Sequence, residues 1–383
     1  MNAITIVIAS ICILAIAYRL YGTFMMAKVL KVNDDKPTPA HLQKDGKDYV
    51  PTNKWVSFGH HFAAIAAAGP LVGPILAAQF GYLPGLLWLL IGAVIGGAVH
   101  DIVVLFASMR RNGKSLSEVA KEELGPVAGF CTGLAMLFII TITMAGLSMV
   151  VLHALQRNPR GSFAVAITIP IAMGVGLFYK KTGNLKLAST GGFILLMAGV
   201  FIGPSVANTP LGEALTLDVK TLAIALPVYA FFAAALPVWL LLAPRDYLSS
   251  FMKIGVFIAL IAGVFVVNPA IPFPAFTEFT KGGGPVSPGP VWPFISITIA
   301  CGAISGFHAF VGSGTTPKML DKWSDMKFVG FGAMLVECLV GIMALIAATA
   351  LQPGDYFAIN SAPEVFRTLG MDTVHLPELS REI

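Results

Sequence analysis

A chain of 383 residues that is 56% hydrophobic and 12% charged, with a mean hydropathy of +0.80, lies far outside the composition of soluble domains. Its net charge of +5 comes from lysines and arginines scattered among apolar runs. With no aromatic-studded basic surface, nucleic acid is excluded as a partner and the lipid bilayer is the expected surroundings.

A membrane span needs roughly 20 apolar residues. About ten stretches qualify: 3–27, 55–79, 84–109, 126–155, 162–179, 188–205, 221–243, 251–269, 291–313 and 328–352. The first has no basic residue before Arg19, so it reads as a retained helix and not as a cleaved signal, with its amino end outside. Basic residues gather on alternate connections, among them Lys28, Lys31, Lys44, Arg110, Arg111, Lys180, Lys181, Arg245, Lys253, Lys318 and Lys322. By the positive-inside rule that side is cytoplasmic. Residues 28–54 form a cytoplasmic loop, 270–290 an outer loop rich in proline and glycine, and 353–383 an extracytoplasmic tail with a short surface helix.

The second stretch holds Gly59-His60-His61 and then Ala66-Ala67-Ala68-Gly69-Pro70, with Gly73 and Pro74 beyond. Adjacent histidines point about 100° apart on a helix, so His60 and His61 are expected to face different neighbours. The seventh stretch repeats the pattern as Ala233-Ala234-Ala235-Leu236-Pro237, with Pro244 following, at an offset of 167 residues. The charge pattern makes the two run in opposite directions. That is the signature of an inverted five-plus-five repeat, and the prolines predict helices broken near mid-membrane that expose backbone groups to a substrate. The expected architecture is an all-α membrane protein with a peripheral helix at 1–27, a first five-helix repeat at 55–205 and a second at 221–352.

His100 and Asp101 lie in the third stretch, about 13 Å inward from Arg110 at 1.5 Å per residue. Glu337 is the other deep carboxylate. Carboxylates at that depth are costly unless paired, protonated or wet, so Asp101, His100 and Glu337 are candidates for coupling to H+ or Na+. The ninth stretch concentrates glycine, hydroxyls and a histidine, giving His308, Ser313 and Thr315 as candidate substrate ligands alongside His60, His61, Gly69, Pro70, Gly73, Ala235 and Pro237. Arg245 and Asp246 suit a gate ion pair. Cys12, Cys131, Cys301 and Cys338 each stand alone in apolar sequence and read as small packing residues, and no metal or other cofactor is expected.

The segments Phe58-Gly59-His60-His61-Phe62 through Pro74, Ala243-Pro244-Arg245-Asp246-Tyr247-Leu248, and Gly306-Phe307-His308-Ala309 through Thr316-Pro317-Lys318 resemble hallmarks of the carbon starvation protein A family over the whole chain. Ala67, Phe310 and Gly312 depart from that pattern. The resemblance implies an inner-membrane carrier for peptides or pyruvate, grouped with the amino acid, polyamine and organocation transporters. Relatives continue into further helices, so the last helix of the second repeat is expected to be missing.

Two rival readings are weighed against secondary transport. One is a ligand-binding sensor or scaffold. The other is an intramembrane enzyme using Ser313 with His308, or a metal held by His60 and His61. The absence of H-E-x-x-H, G-x-S-x-G and a phosphate-binding P-loop speaks against an enzyme or an ATP-driven pump.

Overall fold

The computed structural model describes residues 1–237 and 239–368, which are helical with no strand among them beyond isolated bridges. The principal helices are α1 (Ala3–Val29), α2 (Lys54–Ile65), α3 (Gly69–Phe80), α4 (Tyr82–Arg110), α5 (Leu116–Leu124), α6 (Pro126–Leu155), α7 (Pro159–Thr182), α8 (Leu185–Val206), α9 (Val219–Ala235), α10 (Leu242–Val267), α11 (Val291–Thr298), α12 (Ala300–Ala303), α13 (His308–Gly312), α14 (Lys327–Thr349), α15 (Pro353–Asn360) and α16 (Pro363–Thr368). Among the described residues, seven are long and apolar enough to cross a membrane, or up to nine if each of two bent pairs is one span. This is a multi-pass membrane protein. Each expected stretch is helical, but α9 is shorter, at 17 residues.

Polar residues set the helix starts. Asn53 accepts from the Trp55 amide and opens α2, while Ser115 and Glu118 close a reciprocal capping box on α5. Asn158, Asn184 and Asp218 cap α7, α8 and α9 through their side chains. Such caps satisfy amides left without intrahelical partners.

The core forms around α14, which is largely buried, whereas α6 buries only Gly129, Leu152 and Leu155 and is otherwise outward-facing. One continuous apolar cluster joins α1, α2, α3, α4, α14 and α15. A smaller cluster of Ala172, Ala233, Leu241 and Leu248 ties α7, α9 and α10 together. The described tail helix α15 corrects the surface-helix expectation: Tyr356 and Phe357 are fully buried, and the Tyr356 hydroxyl donates to the Ile75 carbonyl at 2.7 Å. Aromatic packing against Phe273 and Phe279 explains why it is drawn inward. Residues 369–383, the rest of the expected extracytoplasmic tail, lie outside the described residues.

The outer loop is also anchored. Gln79, fully buried at the end of α3, accepts from the Val286 and Ser287 amides at 2.7 and 2.9 Å and donates to the Ser287 carbonyl at 2.7 Å.

Two helix breaks shape the centre. Alpha helices α2 and α3 meet at 46°, and α11 meets the Ala300–Gly312 segment at 68°. They cross at van der Waals range because Gly69 and Gly73 lack side chains. A Cβ on Gly73 would lie 2.1 Å from the Thr298 carbonyl oxygen, and one on Gly69 would lie 2.4 Å from Cys301 Sγ. Gly73→Ala is expected to destabilise the fold by roughly 1–3 kcal/mol through overpacking. Gly255→Ala, in the interior of α10 with nothing within 4 Å, should not lower the thermal unfolding midpoint of the detergent-solubilised protein.

Candidate functional site

The two breaks open onto one cavity of about 410 Å³, bounded by Ala67, Ala68, Gly69 and Gly73 on one side, Ser305, Gly306 and Phe307 on another, and Thr143 and Gly146 of α6 on a third. The α2–α3 break follows from its hydrogen bonds. The last regular bond runs from the Ala66 amide to the Phe62 carbonyl at 2.8 Å; the Ala67 amide then turns to Ile65. In a continuous helix Ala67 would have bonded the Ala63 carbonyl, which is therefore freed. Lys253, from α10, fills the gap: its Nζ donates to the Ala63 carbonyl at 2.7 Å. This corrects the placement of Lys253 in a cytoplasmic loop. Its flanking sequence, apolar over two further turns, was the available signal.

The seventh stretch does not mirror this break. Ala235 ends α9, Leu236 is extended, and Pro244 lies in the first turn of α10. Proline is tolerated there because the amide it lacks has no intrahelical acceptor to lose. Ala235 and Pro237 thus belong to a joint between two helices and are not among the cavity-lining residues. The partner that faces the α2–α3 break is the α11–α13 segment. Pro70 also turns from the cavity, packing beside Gly302 and Gly341.

Behind Cys301, on the cavity wall, lies a buried chain of ionisable groups. His100 Nδ1 is 3.0 Å from Asp101 Oδ1, Asp101 Oδ2 is 2.9 Å from His308 Nδ1, and His308 Nε2 is 3.2 Å from Glu337 Oε2. Asp101, His308 and Glu337 are at most 1% exposed. Both deep carboxylates singled out by sequence are therefore bridged by one imidazole, a connection that no spacing along the chain announced. Cys301 Sγ stands 3.9 Å from Glu337 Oε1, so the thiol read as a packing residue sits among these groups. Cys301, His308 and Glu337 could hold a metal ion, their donor atoms lying within 4.8 Å of one another.

The adjacent histidines diverge as their spacing requires. His61 Nδ1 meets Thr316 Oγ1 at 2.9 Å, and His60 Nδ1 lies 3.0 Å from Asp246 Oδ2. They share no ligand. Asp246 is thus paired with His60, whereas Arg245 stacks over Tyr229 at 5.0 Å, so the expected Arg245–Asp246 pair is not made. Ser313 donates to the Ala309 carbonyl at 2.6 Å, and His308 turns both ring nitrogens to carboxylates; no nucleophile and base meet there. Thr315 is half-buried, and its neighbour Thr316 is the hydroxyl that engages histidine.

A family pattern described as carbon starvation protein CstA matches residues 2–376. The chain belongs to that family. It is 91% identical over its full length to the peptide transporter CstA of Bacillus subtilis, covering 64% of that protein. It is 49% identical to the pyruvate/proton symporter BtsT of Escherichia coli, covering 53% of it, and 51% identical to the peptide transporter CstA of Campylobacter jejuni, covering 54%. The chain thus spans about half to two-thirds of the length of these curated relatives. No solved structure matches it significantly.

Lys253→Met keeps the apolar stem but leaves the Ala63 carbonyl unpaired. Stranding that acceptor is expected to cost roughly 1–3 kcal/mol, read as a lower unfolding temperature in detergent. Lys281→Met, in an exposed part of the outer loop, should show no such loss.

Proposed function

We propose that this chain carries the substrate site of a secondary active transporter in the cell membrane, taking up small carboxylate-bearing nutrients, peptides or pyruvate, with its amino terminus extracytoplasmic. The observation that carries the reading is the shared cavity at two broken helices. The break exposes the amino end of α3 at Gly69, and a helix amino terminus favours a carboxylate through its unpaired amides and dipole. Broken helices around a cavity are how transporters place backbone groups at membrane depth. The names of the family relatives, peptide transporters and a pyruvate/proton symporter, support the same substrate class.

Coupling follows from the adjoining chain of Asp101, His308 and Glu337. A cation, H+ or Na+, held there would link its own passage to the packing of α4, α13 and α14, which together surround the second break. His60 with Asp246 spans α2 and α10 and acts as the gate contact. The inverted five-plus-five repeat remains part of this reading, with the broken pair α2–α3 opening the first unit and α9, a separate helix joined to α10, opening the second.

The test is uptake of labelled pyruvate and of a labelled dipeptide into proteoliposomes under an imposed proton or sodium gradient. Accumulation of one substrate that collapses with an uncoupler or ionophore is the expected result, and Asp101→Asn or Glu337→Gln should abolish the gradient dependence. Saturable binding without accumulation would replace the carrier with a ligand-binding sensor.

A further inference from the structure

We propose that Cys301, His308 and Glu337 form a binding site for a divalent transition-metal cation of the zinc class. His308 and Glu337 are fully buried. Their facing atoms, Nε2 and Oε2, are 3.2 Å apart, yet neither makes a hydrogen bond with any described group. The imidazole nitrogen and the carboxylate oxygen thus face each other without a regular hydrogen bond, which leaves both available to a third partner. Four-coordinate zinc, with bonds of about 2.0 Å to nitrogen and oxygen and about 2.3 Å to sulfur, separates neighbouring ligands by about 3.3 Å for nitrogen and oxygen and about 3.5 Å for sulfur and oxygen. The 3.2 Å spacing matches that tetrahedral edge; Cys301 Sγ lies 3.9 Å from the other oxygen, Glu337 Oε1, and with all three donors within 4.8 Å of one another the thiol has to swing inward to complete the set.

Orientation is already supplied. His308 presents Nδ1 to Asp101 Oδ2 at 2.9 Å, and Asp101 is held in turn by His100. A carboxylate that fixes the far nitrogen of a ligating imidazole sets its tautomer and raises its basicity. The donor set also balances charge: with the Cys301 proton released on binding, one thiolate, one carboxylate and one neutral imidazole around a divalent cation sum to zero, which suits a buried site, and the fourth position falls to a water from the cavity. Mixed sulfur, nitrogen and oxygen donors favour zinc-class ions over magnesium or calcium. Cys301 also lines the cavity at the helix breaks, giving an ion a path to the site. A bound metal would staple α12, α13 and α14 across the second break.

The proposal does not depend on transport, because its test uses no gradient. The chain, purified in detergent and stripped with a chelator, is titrated with Co²⁺ and followed by near-ultraviolet and visible absorption. The expected result is saturation near one ion per chain with a thiolate-to-cobalt charge-transfer band. Cys301→Ser should lose that band while Cys131→Ser, altered at an exposed cysteine, retains it. Asp101→Asn should weaken affinity by about 10–100-fold. Size-exclusion elution verifies that each variant is folded. A folded wild-type chain that binds no Co²⁺ saturably, or a charge-transfer band that survives Cys301→Ser, overturns the assignment.

Discussion

Burial of charge in a medium that cannot solvate it is the constraint on which the centre of this molecule depends. Asp101 and Glu337 come from helices far apart in sequence, and each would be costly alone at membrane depth. His308 resolves both by lying between them, with Asp101 further held by His100. To reach that position, His308 must sit at the start of a short helix after a break, since a straight helix through residues 291–312 would carry it elsewhere. The pairing of the carboxylates and the 68° bend are thus two aspects of one arrangement.

The second requirement is satisfaction of backbone. A break in a membrane helix frees carbonyls that lipid cannot satisfy, and here the freed Ala63 carbonyl receives the Lys253 ammonium. The cation stands at the carboxyl end of α2, where the helix dipole is negative, while Gly69 opens the positive end of α3 across the gap. Opposite polarities thus face each other over a few residues. Glycine allows this closeness: Gly69, Gly73 and Gly97 each touch α11 or α12 at distances that exclude any side chain.

Around this rigid centre the molecule is uneven. The core helix α14 is enclosed on nearly all sides, whereas α6 contributes Thr143 and Gly146 to the cavity wall while presenting most of its surface outward. The outer loop and α15 close the opposite end, tied down through Gln79 and Tyr356. The cavity thus has densely packed α2–α3 on one side and sparsely packed α6 on another, and sparse packing lowers the cost of local motion.

The apolar stretches, their approximate ends and the break after Ala66 were legible in the sequence because hydrophobic length, proline and glycine act locally on the chain. So were the candidates Asp101, Glu337 and His308, since polarity in an apolar run is visible without knowing the fold. Their union was not legible, nor was the entry of Cys301 and Lys253 into the site. These depend on which helix faces share an interior, and helical periodicity leaves that undetermined when all sides of a helix are apolar. The same limit explains why the proline motif at Pro237 and Pro244 resembled a second break. Proline marks both a broken helix and the junction of two, and only tertiary packing decided between them, by giving α10 its own start at Leu242 and bringing the ninth stretch to the α2–α3 break.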